Sequence, residues 1–322
     1  MLLSIILLII GLVILILGAE GLVRGASSLA AKLRVSALVI GLTVVSFGTS
    51  APELTVNIFA AYTGSADLAI GNIVGSNIVN ILLILGITAL ITPLVVKRAT
   101  IWKEIPLALL GVVLLFVMGN DALFDGLEVN ALTRTDGIAL IALMVIFMYY
   151  IFGMAKSDRE KTTEKDESIK QYSMPVSIFM TLAGLAGLVV GGRLLVDGAI
   201  TLAQMAGLSE ALIGLTVVAI GTSLPELATS VVAALRRQAD IAIGNIVGSN
   251  IFNIFFVLGV TSTILPLPFT STINVDVLVA IAATTLLFLF MFVGGKHRLM
   301  RWEGGVFLAC YVAYMGFLIY RG

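Results

Sequence analysis

Ten long apolar segments constrain the fold of this chain more than any other feature. A helix needs about 20 mostly apolar residues to cross the hydrocarbon core of a bilayer. The segments lie at roughly 2–24, 36–62, 69–92, 103–120, 135–155, 174–196, 209–235, 241–266, 274–294 and 302–320. Hydrophobic residues make up 59% of the chain and charged residues only 12%. The sequence therefore predicts an all-α integral membrane protein with ten transmembrane helices.

Composition also excludes several classes of function. Lys and Arg together number 19, and so do Asp and Glu, so we expect no basic surface for nucleic acid. The single cysteine, Cys310, and the single histidine, His297, exclude clustered thiolate or imidazole metal ligands within one chain. No nucleophile is paired with a base, so we expect neither an enzyme nor a cofactor. Any chemistry in this chain must use oxygen ligands.

The positions of the basic residues predict an orientation. If the ten segments alternate across the membrane, 16 of the 19 Lys and Arg residues fall on one side, among them the five of the polar stretch 156–173. Cytoplasmic loops carry the excess of basic residues. We therefore expect a multi-pass protein of the plasma membrane (the inner membrane of a bacterial cell). Both termini would be extracellular or periplasmic, and 156–173 would be a cytoplasmic linker.

The two halves of the chain repeat each other. A shift of 173 residues superposes them, and 33 of the 55 positions in 39–93 are identical in 212–266. Each half contains five predicted spans, an odd number, so the second copy must enter the membrane in the opposite direction. Inverted repeats with a binding site at their interface are typical of secondary transporters. The predicted units are a first five-helix repeat, 1–155, and a second, inverted one, 174–322.

Each half carries the same two motifs. The first copy reads IGLTVVSFGTSAPEL at 40–54 and ADLAIGNIVGSNIVNI at 66–81. The second copy reads IGLTVVAIGTSLPEL at 213–227 and ADIAIGNIVGSNIFNI at 239–254. These four stretches contain the polar residues that lie deepest in the predicted spans, so they are the candidates for a binding site.

The first motif predicts a broken helix beside a carboxylate. Pro52 has no N–H group, so the carbonyl of Gly48 loses its helical partner. Backbone freed in this way is tolerated within a membrane only where protein or water satisfies it. Thr49 and Glu53 are four residues apart and would share one helical face, with Ser50 beside them. The repeat predicts the same arrangement for Gly221, Thr222, Ser223, Pro225 and Glu226.

The second motif adds amides and a hydroxyl to this polar set. Asn72, Ser76 and Asn80 recur every four residues, with Asn77 beside them. Their counterparts are Asn245, Ser249, Asn253 and Asn250. A hard oxygen site of this kind suits Ca²⁺, and also Na⁺. Two glutamates supply a charge of −2, which one Ca²⁺ or two Na⁺ would neutralise, so the two ions would compete.

These motifs resemble the two α-repeats of the sodium/calcium exchanger family, in the cation/calcium antiporter superfamily. The resemblance is to the compact prokaryotic members, which lack a large cytosolic calcium-sensing domain. It implies a secondary active antiporter that exchanges Na⁺ for Ca²⁺ by alternating access, with Ca²⁺ and Na⁺ as transported substrates in a lipid bilayer. It also implies that the first and sixth helices slide against a core of eight. Duplication within one chain makes a monomer sufficient for the site.

The resemblance further implies a set of ligands, carried over position by position. Glu53 and Glu226 would be the central Ca²⁺ ligands, joined by the carbonyls of Thr49 and Thr222. Ser50, Ser223, Ser76 and Ser249 would build flanking Na⁺ sites with the carbonyls of Ser46 and Ala219, and Asn80 and Asn253 would close the middle. Some relatives carry an aspartate at the position of Asn253, and in potassium-dependent exchangers that acid is associated with K⁺ transport. We therefore expect K⁺-independent exchange.

Two alternative functions stay open at this point. A proton/calcium exchanger of the same superfamily would use the same architecture, although its usual repeat signature differs from GTSxPE. A cation channel is the other alternative, since two broken helices could line a pore. A deep, doubly acidic site would hold Ca²⁺ too tightly for fast conduction.

Overall fold

The computed structural model of the chain describes residues 2–161, 171–205 and 219–321. Its helices follow the same order in both halves. The first half contains α1 (Leu2–Leu33), α2 (Ala37–Thr49), α3 (Ala51–Tyr62), α4 (Ala66–Ile91), α5 (Arg98–Met118) and α6 (Arg134–Lys161). The second half contains α7 (Met174–Met205), α8 (Ala219–Gly221), α9 (Leu224–Leu235), α10 (Ala239–Ile264), α11 (Ser271–Phe290) and α12 (Arg301–Arg321). A one-turn helix, Asp121–Phe124, lies between α5 and α6.

Within these described ranges, eight helices are long and apolar enough to cross a membrane, and α2 with α3 makes a ninth, bent span. The all-helical fold expected from the apolar segments is confirmed. The predicted span 209–235 is described only from residue 219 onward, where α8 and α9 lie. The count of ten spans therefore stays a prediction.

Both predicted helix breaks are present. In the first half α2 and α3 meet at Ser50 with a bend of 42°. In the second half a turn at Thr222 and Ser223 separates α8 from α9. Proline occupies one of the first two positions of both α3 and α9, where its missing N–H group is not needed by the helix. The motif thus ends one helix and starts the next at the same place in each half.

Short antiparallel strands repeat the symmetry at the helix ends. Leu94–Val95 pairs with Arg298–Leu299, and Ala131–Leu132 pairs with Leu267–Pro268. The strand that follows α4 and the strand that follows α10 are 173 residues apart, and each pairs with the strand that precedes the last helix of the other half. The two halves are therefore joined by the same connection twice, as expected for a repeat.

Helices α4 and α10 form the centre of the molecule. The most apolar stretch of α4 is 78% buried inside the protein and that of α10 is 94% buried, against 22–28% for α1, α6, α7 and α12. Both central helices widen into a π-helical segment, Val79–Leu85 in α4 and Phe252–Leu258 in α10. Such widening is rare and is frequently found at functional sites.

Helices α1 and α7 pack against each other along glycines at seven-residue spacing. These glycines are Gly11, Gly18 and Gly25 in α1 and Gly184, Gly191 and Gly198 in α7. A Cβ atom added to Gly18 would lie 2.7 Å from the backbone nitrogen of Leu188, so the two backbones are in contact. Small residues allow this close approach where there is little hydrophobic drive between helices in lipid. The first and sixth predicted spans are thereby packed into one pair.

We predict that Gly18→Ala lowers the midpoint of thermal unfolding of the detergent-purified protein. The added methyl group would overlap the backbone of Leu188, and overpacking of this kind costs about 1–3 kcal/mol. Gly21→Ala is the control, because its methyl group would lie 3.5 Å from the carbonyl oxygen of Met180, an ordinary contact. Equal midpoints for the two variants would contradict the close packing of α1 on α7.

Candidate cation-binding site

Two buried glutamates lie directly after the two helix breaks. Glu53 is in the first turn of α3 and Glu226 is in the first turn of α9, and each is 1% exposed. The first N–H groups of a helix have no partner within the helix, and the helix dipole favours negative charge there. Each break therefore places a carboxylate at a helix start that helps to stabilise it.

Hydroxyl groups from both halves surround Glu226. Its Oε1 atom lies 3.4 Å from Oγ of Ser50, which belongs to the break of the first half. The same atom lies 3.5 Å from Oγ of Ser249 in α10. The hydroxyl of Thr49 is also close to this carboxylate. One glutamate is thus enclosed by residues of two breaks and one central helix.

The surroundings of Glu53 follow the same pattern. Ser76 of α4 and Thr222 of the second break lie near its carboxylate without making a hydrogen bond to it. Ser76 is in turn 3.4 Å from the hydroxyl of Ser223. The structure therefore brings together the predicted glutamates, the hydroxyls of both breaks and the serines of both central helices.

The predicted neighbour of Thr49 is wrong. The spacing of Thr49 and Glu53 suggests one shared helical face, but the chain turns at Ser50 between them. The hydroxyl of Thr49 donates instead to Oδ1 of Asn245 in α10, at 3.0 Å. The four-residue spacing fails because it assumes one continuous helix, and the break sends Thr49 toward the other half.

Five buried oxygen atoms of this site have no hydrogen-bond partner among the described residues. They are Oε1 and Oε2 of Glu53, Oε2 of Glu226, and the Oδ1 atoms of Asn80 and Asn253. A buried polar atom without a partner is rare and costly, and a buried charge costs more. All five atoms are acceptors and two residues carry formal negative charge. The donor set therefore fits a hard cation such as Ca²⁺, which is bound by six to eight oxygens.

Ser46 and Ala219, the two residues expected to add backbone carbonyls to the Na⁺ sites, differ in how much of their surroundings the structure describes. The carbonyl of Ser46 accepts a hydrogen bond from the backbone N–H of Ser50 at 3.0 Å, and it lies 3.3 Å from the hydroxyl of Thr49, whose nearer acceptor is Asn245. The hydroxyl of Ser46 lies 2.6 Å from the carbonyl oxygen of Gly41 in its own helix and 3.1 Å from that of Gly244 in α10. Ala219 is the first residue of α8.

Comparison with known proteins identifies the family of this chain. The family model described as sodium/calcium exchanger protein matches residues 3–153 and 176–320. The chain belongs to the sodium/calcium exchanger family. It is a transporter and not an enzyme, and Na⁺ and Ca²⁺ are the ions that this family transports.

Individual relatives agree with this assignment over most of the chain. The sodium/calcium exchanger MaX1 of Methanosarcina acetivorans is 31% identical over 91% of this chain and 92% of that protein. Inner membrane protein YrbG of Escherichia coli is 40% identical over 83% of this chain and 81% of that one. A solved structure of the sodium-calcium exchanger NCX_Mj superposes with a TM-score of 0.82 and 34% identity, and the match covers 98% of both chains. The protein is thus a multi-pass membrane protein and a cation/calcium antiporter.

Sequence reasoning missed a polar residue one turn beyond each glutamate of the antiporter. Asn57 donates from Nδ2 to the carbonyl of Glu53 at 2.9 Å. Ser230, its counterpart, accepts from Nδ2 of Asn245 at 3.0 Å, and the same amide donates to the carbonyl of Glu226 at 3.3 Å. The amides of Asn57 and Asn245 thus donate to the carbonyls of the two glutamates, and Ser230 holds the amide of Asn245. The sequence could have indicated Asn57 and Ser230, since both are polar residues at the same repeat position inside an apolar span.

Two glycines of α10 bring the first half of the antiporter close to its centre. Gly244 and Gly248 are buried, and a Cβ atom added to Gly244 would lie 3.0 Å from Cα of Gly41 in α2. The repeat assigns the corresponding neighbours of Gly71 and Gly75 to 210–218, which lies outside the described residues.

Proposed function

We propose that this chain exchanges Na⁺ for Ca²⁺ across the membrane through the site between its two halves. The observation that carries this proposal is the set of five buried, unpartnered oxygens beside two carboxylates. Cys310 and His297 are the sequence's only residues of their kinds, which leaves hard oxygen ligands. Such ligands select Ca²⁺ or Na⁺ over softer metals.

The proposed ligands follow the repeat. The central Ca²⁺ ligands are Glu53 and Glu226, with the carbonyls of Thr49 and Thr222. The Na⁺ sites on either side use Ser50, Ser223, Ser76 and Ser249, with the carbonyls of Ser46 and Ala219, and Asn80 and Asn253 close the middle. At Ser46 a Na⁺ ion would approach the carbonyl beside the Thr49 hydroxyl, whose proton has Oδ1 of Asn245 as its nearer acceptor.

Charge balance explains why the two ions would exclude each other. With both glutamates ionised the site carries −2, and a net charge within a membrane is costly. One Ca²⁺ or two Na⁺ neutralise it. Any further Na⁺ would rest on neutral ligands. An ion of one kind must therefore leave before the other kind is bound, which is the physical basis of exchange.

The proposed architecture is two five-helix repeats, 1–155 and 174–322, joined by the cytoplasmic linker 156–173. The packing of α1 on α7 supports movement of that pair as one unit against the remaining helices, which would change the side from which the site is reached. One chain contains both glutamates, so we propose that a monomer is sufficient.

For the location we propose the plasma membrane, which is the inner membrane of a bacterial cell. The name of the relative YrbG supports this location. The 16 basic residues on one predicted side support a cytoplasmic linker and two termini on the outside.

The main test is uptake of ⁴⁵Ca²⁺ into proteoliposomes loaded with Na⁺, choline or K⁺. We expect uptake only from Na⁺-loaded vesicles, and loss of at least about 100-fold in Glu53→Gln and Glu226→Gln, since losing a group that only orients a metal ligand already costs about 10–100-fold. Glu303→Gln is the matched control, because Glu303 is also fully buried but accepts from the backbone of Met300 at the start of α12. Uptake driven by a pH gradient and indifferent to Na⁺ would establish the proton-coupled alternative. Unitary currents would establish a channel.

A second prediction concerns potassium. We expect Na⁺-driven ⁴⁵Ca²⁺ uptake to be the same with K⁺ or choline in the external medium. Asn253 contributes a neutral amide to the site, so no charge is left for a further cation after the two glutamates are neutralised. The measurement is the initial rate at matched membrane potential. An obligatory K⁺ requirement would show that K⁺ is bound and would overturn this expectation.

A further inference from the structure

Four asparagines form a hydrogen-bonded group where α4 crosses α10. Asn77 and Asn80 come from the first half, Asn250 and Asn253 come from the second, and each is at most 2% exposed. They lie at the end of the α-helical part and the start of the π-helical segment in each helix. All of their hydrogen bonds described below join one half to the other.

The first two bonds are made between Asn77 and Asn250. Nδ2 of Asn77 donates to the carbonyl of Asn250 at 3.3 Å, and Nδ2 of Asn250 donates to the carbonyl of Asn77 at 3.5 Å. A backbone carbonyl can only accept, so the amide nitrogen of each residue must face the other helix. This determines which end of each amide is nitrogen, a choice that shape alone does not give.

The other two bonds follow from that orientation. Oδ1 of Asn77 accepts from Nδ2 of Asn253 at 3.0 Å, and Oδ1 of Asn250 accepts from Nδ2 of Asn80 at 2.9 Å. The amide nitrogens of Asn80 and Asn253 therefore both donate to the opposite helix. Their Oδ1 atoms are left without a partner among the described residues. A rotated amide would present N–H groups, which repel a cation.

We propose that Asn77 and Asn250 are positioning residues for cation binding. Asn77 holds the amide of Asn253, and Asn250 holds the amide of Asn80, so that both present oxygen to the ion. The inference rests on the proposed function. Among the described residues Asn77 makes no hydrogen bond to Glu53, Glu226 or Asn80, so we place its effect in its bond to Asn253. The pairing is crossed: Asn77 acts through Asn253 of the other half, not through Asn80 of its own helix.

The crossed pairing distinguishes two possible roles of Asn77: orienting the amide of Asn253, or only stabilising the packing of α4 against α10. If Asn77 only joins α4 to α10, its loss weakens the fold and affects every ligand alike. If it orients Asn253, its loss has no further effect on affinity once Asn253 has no amide. Residues linked in this way give non-additive double-mutant cycles, whereas independent ones add.

The experiment measures equilibrium ⁴⁵Ca²⁺ binding to the full chain in detergent. Asn77→Leu, which keeps the volume of the side chain, should weaken binding by about 10–100-fold, as is usual for residues that orient a metal ligand. In an Asn253→Ala background Asn77→Leu should add almost nothing, whereas in an Asn80→Ala background it should keep its full effect. The mirror result is expected for Asn250→Leu. Asn77→Ser is the second variant if leucine prevents folding.

Controls come from the same two helices. Thr88 and Thr261 are buried repeat counterparts whose hydroxyls donate to carbonyls of their own helix, Ile84 and Val257. Thr88→Val and Thr261→Val should leave the affinity for Ca²⁺ unchanged. Unfolding midpoints without Ca²⁺ report the fold of every variant.

Each outcome decides one question. Crossed coupling supports the positioning role. Additive losses in both backgrounds, or unchanged affinity in Asn77→Leu, overturn it. Binding by the unmodified chain that is lost in Glu53→Gln supports the proposed site whatever the asparagines do. Absence of Ca²⁺ binding by the unmodified chain overturns both.

Discussion

Two carboxylates buried inside a membrane protein are the constraint on which the rest of the structure depends. Glu53 and Glu226 are each 1% exposed and retain carboxylate oxygens without a partner among the described residues. A charge in such a place is tolerated only if something compensates it. Hydroxyls, amides and two helix starts surround the pair, yet these leave acceptors free. The site is therefore suited to a partner that brings positive charge, and Na⁺ and Ca²⁺ are the ions that this family transports.

The helix breaks and the central helices supply that arrangement together. Each break ends one helix and begins another with a glutamate in its first turn, so the helix dipole acts on the carboxylate. The α4 and α10 helices cross at the centre and widen into π-helical segments where Asn80 and Asn253 lie. Because the two repeats pack together at the centre, each glutamate meets hydroxyls of the other half. Neither half contains a complete site.

Much of this could be predicted from the sequence because the signals are local or periodic. Apolar segments of about 20 residues predict helices in a membrane. A shift of 173 residues gives the repeat, and proline beside glycine gives the break. With one cysteine and one histidine, the sequence excludes a cluster of soft metal ligands. The family follows from the two long motifs. What failed was the neighbour of Thr49, since helical spacing cannot be applied across a break, and Asn57 and Ser230 were missed because they lie outside the motifs.

The sequence by itself determined the membrane setting, the duplication, the breaks and the polar residue types available for a cation. Only the tertiary structure decided which groups meet. It paired Thr49 with α10, placed Asn77 against Asn250, and packed Gly244 closely against Gly41. The physical reason is that hydrogen bonds between halves depend on the crossing of α4 and α10. That crossing is set by packing at contacts 170 to 200 residues apart in the chain, such as Asn80 with Asn250 and Thr49 with Ser249, and no local spacing encodes it.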